Sequence, residues 1–331
     1  MNNRSAEPRV LISILNWNGL EETKNCLESL RRSNYPSAHV LVIDNGSRND
    51  EVSLLKKDFP EFEFLRNEQN SGFAGGHNRS ISLAIERGFD FIWILNNDCT
   101  VGPEDLGKLV RLAESDPRIG LVSPVIVLPP LADGKERYQF SGAWHDWNSL
   151  VTVRPTDLQT VADMEARQPE NMWLTGTALL ARCSMLGEIG GLDERLFAYY
   201  EDNEISVRAA RHGYLNKMAF DVKLVHHSFG NSFDRPPHYF YLCSRNEMVF
   251  WSENTPRHLK RKVRRRLICR SFCEARSLYD SGRQEQAKAC VAGVRDALLG
   301  RLGRRKMEFL NAWFSGLIAR NFPYRFARIF D

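Results

Sequence analysis

The segment VLISILNWNGLEETKNCLESLRRSNYPSAHVLVIDNGS (residues 10–47) contains two short apolar runs separated by an amphipathic stretch. The runs VLISILN (10–16) and HVLVID (39–44) are rich in Val, Ile and Leu, which is typical of buried strands. The stretch between them has the apolar spacing of a helix. A strand, a helix and a strand in that order predict a parallel pair joined by a crossover helix.

The same alternation continues to residue 127. It predicts further strands at EFEFL (61–65), DFIWIL (90–95) and IGLVSPVIV (119–127), with helices near 50–58, 76–87 and 103–115. We therefore expect an α/β fold in which a mostly parallel, Rossmann-like sheet carries helices on both faces.

Beyond residue 130 the pattern becomes less regular. It predicts a hairpin in YQFSGAWHDWNSLVTV (138–153), a strand at WLTGTALLA (173–181), a helix near 203–212 and a strand through KLVHH (223–227). From about residue 237 onward only helices are expected. These patterns predict a main domain over residues 1–254 and a basic helical region over 255–331.

Charge is distributed unevenly along the chain. Residues 255–331 carry 19 Lys/Arg and 6 Asp/Glu, whereas residues 1–254 carry 26 and 35. The basic run RHLKRKVRRRL (257–267) and the amphipathic FLNAWFSGLIARNF (309–322) suit an anionic membrane surface. A solvated helical face plus a helix packed on the main domain explains them equally well.

Other features of the composition concern the compartment. The seven cysteines form no CxxC pair, so neither a disulfide framework nor a zinc site is favoured. The first residues lack the apolar core of a secretory signal, and no stretch approaches the roughly 18 to 20 apolar residues of a membrane span. We expect a cytoplasmic protein, with peripheral attachment to the cytoplasmic face of a membrane as the further option.

Compact polar residues follow four of the predicted strands. In parallel sheets, ligands bind in the crevice beyond the carboxyl ends of the strands. One such loop would be ordinary turn chemistry, but four in register favour a ligand site. The groups are Asn16 and Asn18; Asp44 and Asn45; Asn70 and Gly72; and Asn96, Asn97 and Asp98.

Asp98 is the candidate for a metal ligand, because it directly follows an apolar strand. Mg²⁺ and Mn²⁺ prefer oxygen ligands and usually keep few protein contacts. His226, which ends another apolar run, is the candidate for a second ligand, with His227 as its rival. An imidazole ligand slightly favours Mn²⁺ over Mg²⁺.

Glu201 and Asp202 are candidates for a general base. The segment GGLDERLFAYYEDNEISVRAARHGY (190–214) places both just before an amphipathic helix, where acids also serve as caps. A capping acid is expected to have a depressed pKa and to stay ionised, so that it can accept a proton at neutral pH.

The glycine-rich segment NSGFAGGHNRS (70–80) is expected to precede a helix and to let a ligand approach the backbone closely. Gly72, Gly75 and Gly76 do not form the GxGxxG fingerprint of dinucleotide-binding proteins. A dinucleotide-dependent oxidoreductase is therefore not expected.

Taken in order, these segments resemble the family 2 inverting glycosyltransferases of the GT-A fold, particularly the rhamnosyltransferase-like branch. The resemblance covers about residues 9–252. The matching segments are SILNWNG (13–19), VIDNGSRND (42–50), NSGFAGGHNRSI (70–81), WILNNDCTV (93–101), LTGTALLAR (174–182), GGLDERLFAYYEDNEISVRAARHGY (190–214), VHHSFGNS (225–232) and SRNEMVFW (244–251).

The resemblance implies a role for each matching position. Asp44 would contact the nucleotide base, Asp98 and His226 would hold a divalent metal, Asp202 would be the catalytic base and Glu201 would assist at the acceptor. The further donor-binding set is Asn16, Asn18, Asn45, Asn70, Gly72, Asn78, Asn96 and Asn97. The further acceptor-binding set is Trp173, Thr175, Gly176 and Arg245.

One departure concerns the aspartate motif, which reads Asn96-Asn97-Asp98 and keeps a single carboxylate. Similar variants occur in the rhamnosyltransferase-like branch, so activity is expected, with lower metal affinity than two acids would give. By the same resemblance, residues of about 9–127 would bind the nucleotide, and those of about 128–254 would bind the acceptor and carry the catalytic base.

The expected reaction is direct displacement with inversion, moving one sugar from a nucleotide diphosphate donor. By resemblance the donor is dTDP-rhamnose and the acceptor a glycan or lipid-linked glycan of cell-surface polysaccharide synthesis. No nucleic acid partner is expected. A nucleotidyltransferase is the alternative enzyme, although ILNWNG lacks the basic residues of a triphosphate loop, and a non-catalytic nucleotide-sugar-binding scaffold is the alternative outside enzymes.

Overall fold

A computed structural model describes residues 7–130, 135–227 and 235–305. The chain divides into two compact units. The first unit comprises residues 1–146, 151–193 and 201–228, and the second comprises 147–150, 194–200 and 229–331.

A nine-stranded sheet forms the centre of the first unit. Its strands are β1 (Val10–Asn16), β2 (Ala38–Asp44), β3 (Glu63–Arg66), β4 (Phe91–Asn96), β5 (Cys99–Thr100), β6 (Ile119–Val127), β7 (Tyr138–Phe140), β11 (Ala178–Arg182) and β12 (Leu215–His226). The helices of this unit are α1 (Leu20–Arg31), α2 (Glu51–Asp58), α3 (Gly72–Glu86), α4 (Asp105–Glu114), α5 (Leu158–Arg167), α6 (Cys183–Ile189) and α7 (Glu201–Arg211).

The order β3-β2-β1-β4-β11-β6-β12-β5 explains where a ligand can bind. Strands β1 to β4 are parallel, and the chain moves outward from β1 through β2 to β3 before it returns to the other side of β1 as β4. Right-handed crossovers then place α1 and α2 on one face and α3 on the other. The reversal between β1 and β4 opens a crevice at their carboxyl ends.

Three strands of the main sheet depart from the parallel pattern: β5 pairs antiparallel with β12, β7 pairs antiparallel with β6, and β11 is the third. β11 lies antiparallel between β4 and β6. A separate three-stranded sheet has the order β10-β8-β9, formed by β8 (Ala143–Asp146), β9 (Val151–Val153) and β10 (Met172–Trp173).

From residue 237 onward the described part of the second unit is mainly helical, as the sequence predicts. Its helices are α8 (Pro237–Asn254), α9 (Lys260–Asp280) and α10 (Gln284–Leu298). Val263 and Leu267 of α9 are buried, and α9 packs against α8 and α10. No helix in the described ranges is long and apolar enough to cross a membrane.

Four local predictions need correction. The glycine-rich segment lies inside α3, which begins at Gly72 rather than near residue 76. The strand expected over 173–181 is interrupted by residues 174–177 and forms β10 and β11. Glu201 and Asp202 lie in the first turn of α7 and not before it. In the expected hairpin, β8 pairs with β9, whereas β7 joins β6 in the main sheet.

Candidate active site

Asp98 and His226 come together at the end of the sheet. The short strand β5, directly after Asp98, pairs antiparallel with the end of β12, and His226 is the register partner of Cys99. This pairing places His226 Nε2 2.9 Å from Asp98 Oδ1. The His226 side chain is buried, while that of Asp98 is 26% exposed. The two predicted metal ligands are therefore in contact at the edge of the crevice.

Gln139 determines which nitrogen of His226 carries a proton. Gln139 Oε1 lies 2.7 Å from His226 Nδ1, and an amide oxygen only accepts, so Nδ1 donates. In the neutral ring Nε2 then presents a lone pair to the Asp98 carboxylate. Asn96 Nδ2 lies 3.4 Å from the same nitrogen.

Asp98 Oδ1 and His226 Nε2, 2.9 Å apart, can both bind one divalent cation. Neighbouring ligands of an octahedral ion with bonds of about 2.1 Å lie about 3 Å apart. Asp98 Oδ1 is buried and has no hydrogen-bond donor in the described ranges. The donor set of a carboxylate and an imidazole suits Mn²⁺, with Mg²⁺ as a harder alternative. Asp98 and His226 therefore fit the expected cation.

The structure favours His226 over its rival. His227 is exposed, and its Nε2 lies 2.9 Å from Thr100 Oγ1. Its main-chain N–H donates to the Asp98 carbonyl at 2.8 Å, so the residue supports the turn. Cys99 also lies within 4.8 Å of the pair, but burial raises the pKa of its thiol well above the usual value, and a thiol is a poor ligand for Mg²⁺ or Mn²⁺.

Asp202 is held by hydrogen bonds at the start of α7. Its Oδ2 accepts from the Gly176 N–H at 3.1 Å, and its Oδ1 accepts from Asn203 at 2.8 Å. The neighbouring Thr177 carbonyl accepts from the N–H of Asn96 at 2.9 Å. Segment 174–177 thus contacts both Asp202 and the end of β4, two residues before Asp98.

The pKa of Asp202 is raised, which contradicts the depressed pKa expected of a capping acid. Burial is the largest cause, and it outweighs the opposing effects of the Gly176 and Asn203 hydrogen bonds and of the Arg154 charge. The sequence could indicate the helix start, but not that the carboxylate would be enclosed. A raised pKa increases the affinity of Asp202 for a proton, as a general base requires.

Glu201 is more deeply enclosed than Asp202. Its side chain is 5% exposed, and its Oε2 has no hydrogen-bond partner among the described residues. Burial, followed by the neighbouring Asp202 charge, raises its pKa well above 4.5. Glu201 therefore favours the protonated form, which can donate a hydrogen bond.

Replacing Glu201 with Gln is expected to stabilise the protein by about 1–2 kcal/mol at pH 7. The folded pKa lies above the ordinary 4.5, so the folded chain keeps a proton that the unfolded chain releases as the pH rises. The wild type should thus lose stability relative to the variant above about pH 4.5, and the two should be similar below about pH 4.

Urea unfolding at pH 4 and pH 7 measures this difference. The exposed Glu86→Gln is the control, which should stay within about 0.5 kcal/mol of wild type at both values. A Glu201→Gln variant that is less stable than wild type at pH 7 would show that Glu201 is ionised and paired in the fold.

Asp44 lies at the end of β2, within a polar network. Its Oδ1 accepts from Ser47 and from Asn16 Nδ2, and its Oδ2 is 3.3 Å from Arg66 Nε. The side chain is fully buried, whereas Arg66 is 42% exposed. A nucleotide base that contacts Asp44 would therefore have to enter beside Arg66.

Asn45 binds the loop that leads into α3. Its Nδ2 donates to Asn70 Oδ1 at 3.2 Å and to the Gly72 carbonyl at 3.0 Å. Its Oδ1 accepts from the Ser71 N–H at 3.1 Å. The adjacent Gly46 has φ +78° and a Cβ would meet Gln69 at 2.8 Å, so only glycine fits there.

The expectation that the glycines admit a ligand is corrected at Gly76. A Cβ there would lie 2.7 Å from the methyl groups of Leu15, so the missing side chain lets α3 pack against β1. Close packing of α3 on β1, and not the approach of a ligand, explains why position 76 needs glycine.

Several predicted donor-binding residues make contacts that support the fold. Asn16 is fully buried, and its Nδ2 donates to Glu51 at 2.7 Å. Asn97 donates to Thr23 Oγ1 at 2.9 Å. Asn78 exchanges hydrogen bonds with the main chain of Leu192 at 2.8 and 2.9 Å. These contacts assign the three residues an orienting role.

Trp17 was not among the residues selected from sequence. It follows β1 and is 49% exposed, an unusual position for so large an apolar side chain. The next residue, Asn18, has φ 53° and accepts from the Arg48 N–H at 2.9 Å, which fixes the turn. The sequence feature that could have identified Trp17 as a site residue is an aromatic side chain at a strand end, between polar loops.

The predicted acceptor residues occupy different environments. Thr175 is partly buried, and its Oγ1 lies 3.0 Å from that of Thr177. Trp173 is 4% exposed, and its indole N–H has no acceptor in the described ranges. In the second unit, Arg245 is fully buried and donates to the Leu196 carbonyl at 2.8 Å and the Gly303 carbonyl at 2.9 Å, which gives it a structural role.

Comparison with known proteins identifies relatives. N-acetylglucosaminyl-diphospho-decaprenol L-rhamnosyltransferase of Mycobacterium tuberculosis is 26% identical over 285 residues, which cover 79% of this chain and 91% of that protein. The low-salt glycan biosynthesis hexosyltransferase Agl10 of Haloferax volcanii is 23% identical, over 60% of this chain and 61% of its own.

Solved structures share the fold. Mannosyltransferase PcManGT from Pyrobaculum calidifontis, in complex with GDP-Man and Mn²⁺, has a TM-score of 0.55 and 16% identity, covering 97% of this chain and 83% of that one. S. aureus TarS 1–349 has a TM-score of 0.53 and 15% identity, covering 97% and 89%. These likenesses confirm the GT-A fold.

The family model described as glycosyl transferase family 2 matches residues 11–187, more than half of the 331-residue chain. The predicted family is confirmed: this chain is a glycosyltransferase that belongs to glycosyl transferase family 2.

Proposed function

We propose that this protein transfers one rhamnose from a nucleotide diphosphate donor to a lipid-linked glycan acceptor, with metal assistance and inversion at the anomeric carbon. The observation that carries the proposal is the arrangement of three side chains. Asp98 contacts His226, and segment 174–177 connects the end of β4, just before Asp98, to Asp202. Their positions suit a leaving group at Asp98 and an attacking hydroxyl at Asp202.

In the proposed reaction, Asp202 takes the proton of the acceptor hydroxyl as its oxygen attacks the anomeric carbon. The bond from that carbon to the diphosphate breaks in the same displacement. A divalent cation on Asp98 and His226 would offset the charge of the diphosphate. Glu201, in its protonated form, donates a hydrogen bond to the acceptor.

At the donor end, Asp44 and Trp17 are the proposed nucleotide contacts. Trp17 offers an exposed ring on which a base can stack. Residues of about 9–127 would hold the donor, and those of about 128–254 the acceptor. The choice of rhamnose and of a lipid-linked acceptor follows the name of the Mycobacterium tuberculosis relative.

A panel of nucleotide sugars tests the donor. With Mn²⁺ present, dTDP-rhamnose at 100 times its Kd should stabilise the fold by about 2.7 kcal/mol, measured as a rise in Tm, and the effect should fall without Mn²⁺. NMR of the transferred sugar should show the anomeric configuration opposite to that of the donor. Stabilisation by another sugar nucleotide alone would contradict the rhamnose assignment, and retained configuration would contradict direct displacement.

We also propose that α9 binds an anionic membrane surface. Five of the eight basic side chains of α9 are exposed, while its apolar residues pack within the second unit. The exposed basic residues of this region are Arg257, Arg261, Lys262, Arg264, Arg265 and Arg266. Binding would thus be electrostatic. The amphipathic segment 309–322 lies outside the described residues.

Changing Arg261, Lys262 and Arg266 together to Gln should weaken binding to phosphatidylserine-containing vesicles by about 100-fold, since each charge contributes about 1 kcal/mol. Arg32, Lys56 and Lys57, also exposed, provide the matched control triple. Equal vesicle binding by both triple variants in a flotation assay would contradict the proposal and leave α9 a solvated helical face.

A further inference from the structure

Arg154 is an exposed cation just after β9. Its guanidinium lies over the indole ring of Trp173, 5.1 Å from the ring centre. In the described ranges, this guanidinium has no hydrogen-bond or ion-pair partner. Stacking on an aromatic ring orients a guanidinium while leaving its edge N–H groups available. Arg154 can therefore bind an anionic ligand, because no acidic side chain in the described ranges pairs with it.

The Trp173 ring is held rigidly beneath Arg154. Phe140 packs against it at a centroid distance of 5.1 Å, and His145 stacks on it at 6.0 Å with an interplanar angle of 14°. The Leu174 N–H donates to Ser206 Oγ of α7 at 3.1 Å. Trp173 thus fixes Arg154 relative to the helix that carries Asp202.

Arg154 lines a cleft of about 310 Å³, a size that can hold a small ligand. Gln139, whose amide oxygen contacts His226, lines the same cleft. The carboxylate in the lining, Glu136, is paired with Lys223 Nζ at 2.7 Å, so it does not neutralise Arg154. The cleft therefore contains a guanidinium that is unpaired among the described residues, and one of its lining residues, Gln139, contacts the proposed metal ligand His226.

The cleft is also close to the proposed base. Trp173, on which the Arg154 guanidinium stacks, lies three residues before Gly176, whose N–H donates to Asp202 Oδ2 at 3.1 Å. An anion bound at Arg154 would therefore belong to a molecule that reaches Asp202. In the proposed reaction that molecule is the acceptor, whose hydroxyl Asp202 deprotonates.

We propose that Arg154 binds the diphosphate of an acceptor in which the sugar is linked through diphosphate to a lipid. This inference rests on the proposed function, and it names a recognition residue for the acceptor. A guanidinium can donate two parallel hydrogen bonds to phosphate oxygens, which an ammonium cannot do with the same geometry. The donor diphosphate is assigned to the other side, at Asp98 and His226.

The test compares two acceptors with Arg154→Gln, Arg154→Lys and the exposed control Arg32→Gln. One acceptor is N-acetylglucosamine linked through diphosphate to a short prenyl chain, and the other is an alkyl glycoside of N-acetylglucosamine without phosphate. For Arg154→Gln, the KM of the first acceptor should rise about 10- to 100-fold. Arg154→Lys should give an intermediate rise, and Arg32→Gln none.

Two results would overturn the inference. An equal rise for both acceptors would mean that Arg154 only supports the packing of Trp173. A rise in the KM of the donor, with the acceptor KM unchanged, would assign the cation to the donor diphosphate.

Equilibrium binding separates this inference from the proposed function. Calorimetry with the diphosphate-linked acceptor and no donor should show affinity that falls in Arg154→Gln. If wild type binds this acceptor through Arg154 but does not transfer rhamnose, the assigned donor is wrong and the inference stands. If wild type does not bind it, or if the variant binds it equally well, the inference is wrong.

Discussion

Asp202→Asn is expected to reduce sugar transfer by about two to four orders of magnitude while leaving donor binding unchanged. The amide oxygen can keep the hydrogen bonds from Asn203, but the amide nitrogen cannot accept from the Gly176 N–H, and the side chain cannot take the proton of the acceptor hydroxyl. Single-turnover transfer measures the loss, and donor-induced thermal stabilisation measures binding. The pH profile of kcat/KM for the wild type should fall on the acid side through a pKa above the ordinary 3.8, because burial raises the pKa of Asp202.

Glu204→Gln is the matched control for this experiment. Glu204 lies on the same helix and pairs with Arg208 at 2.7 Å, so its replacement removes a carboxylate without touching the proposed base. Transfer by Asp202→Asn within a few-fold of wild type would eliminate Asp202 as the base.

Removing either proposed metal ligand is the second change with a large expected effect. Asp98→Ala and His226→Ala should each weaken Mn²⁺ binding by about 100-fold or more and reduce transfer accordingly. The signal of free Mn²⁺ in electron paramagnetic resonance measures binding without any turnover. An excess of chelator should abolish transfer by the wild type.

His227→Ala provides the control, because His227 contacts Thr100 and leaves the contact between Asp98 and His226 intact. It should retain Mn²⁺ binding within a few-fold of wild type. If instead His227→Ala loses the metal and His226→Ala keeps it, the ligand assignment must be exchanged. Full transfer in excess chelator would contradict metal dependence altogether.

The sheet could be predicted from sequence because its strands are continuous apolar runs. β1, at residues 10–16, and β6, at residues 119–127, have the predicted bounds. The start of α3 was placed too late, because Gly72, Gly75 and Gly76 have low helix propensity. Close packing of Gly76 on Leu15 overrides that propensity, and such a contact cannot be inferred from local sequence.

The candidate site was only partly predictable for the same reason. The residue types at 98, 202 and 226 indicated its chemistry. The proximity of Asp98 and His226, however, depends on the pairing of β5 with β12 across more than a hundred residues, and the position of Asp202 depends on segment 174–177. Gln139 and Arg154 belong to segments whose sequence shows no catalytic pattern. Their roles follow from contacts with His226 and Trp173, which only the fold creates.

The enclosure of Asp202 also depends on the fold. A carboxylate in the first turn of a helix is usually solvated and stabilised as the anion. Segment 174–177 covers it here, because the strand predicted over 173–181 is interrupted and the Gly176 N–H faces the carboxylate. The pKa of Asp202 is therefore raised, whereas the sequence predicted a lowered one.

Anomalous scattering from Mn²⁺, in crystals grown with a nucleoside diphosphate, tests the central claim most directly. The account predicts a peak within bonding distance, about 2.1–2.3 Å, of an Asp98 carboxylate oxygen and of His226 Nε2. A well-ordered nucleoside diphosphate whose Mn²⁺ peak lies away from both side chains would contradict the account.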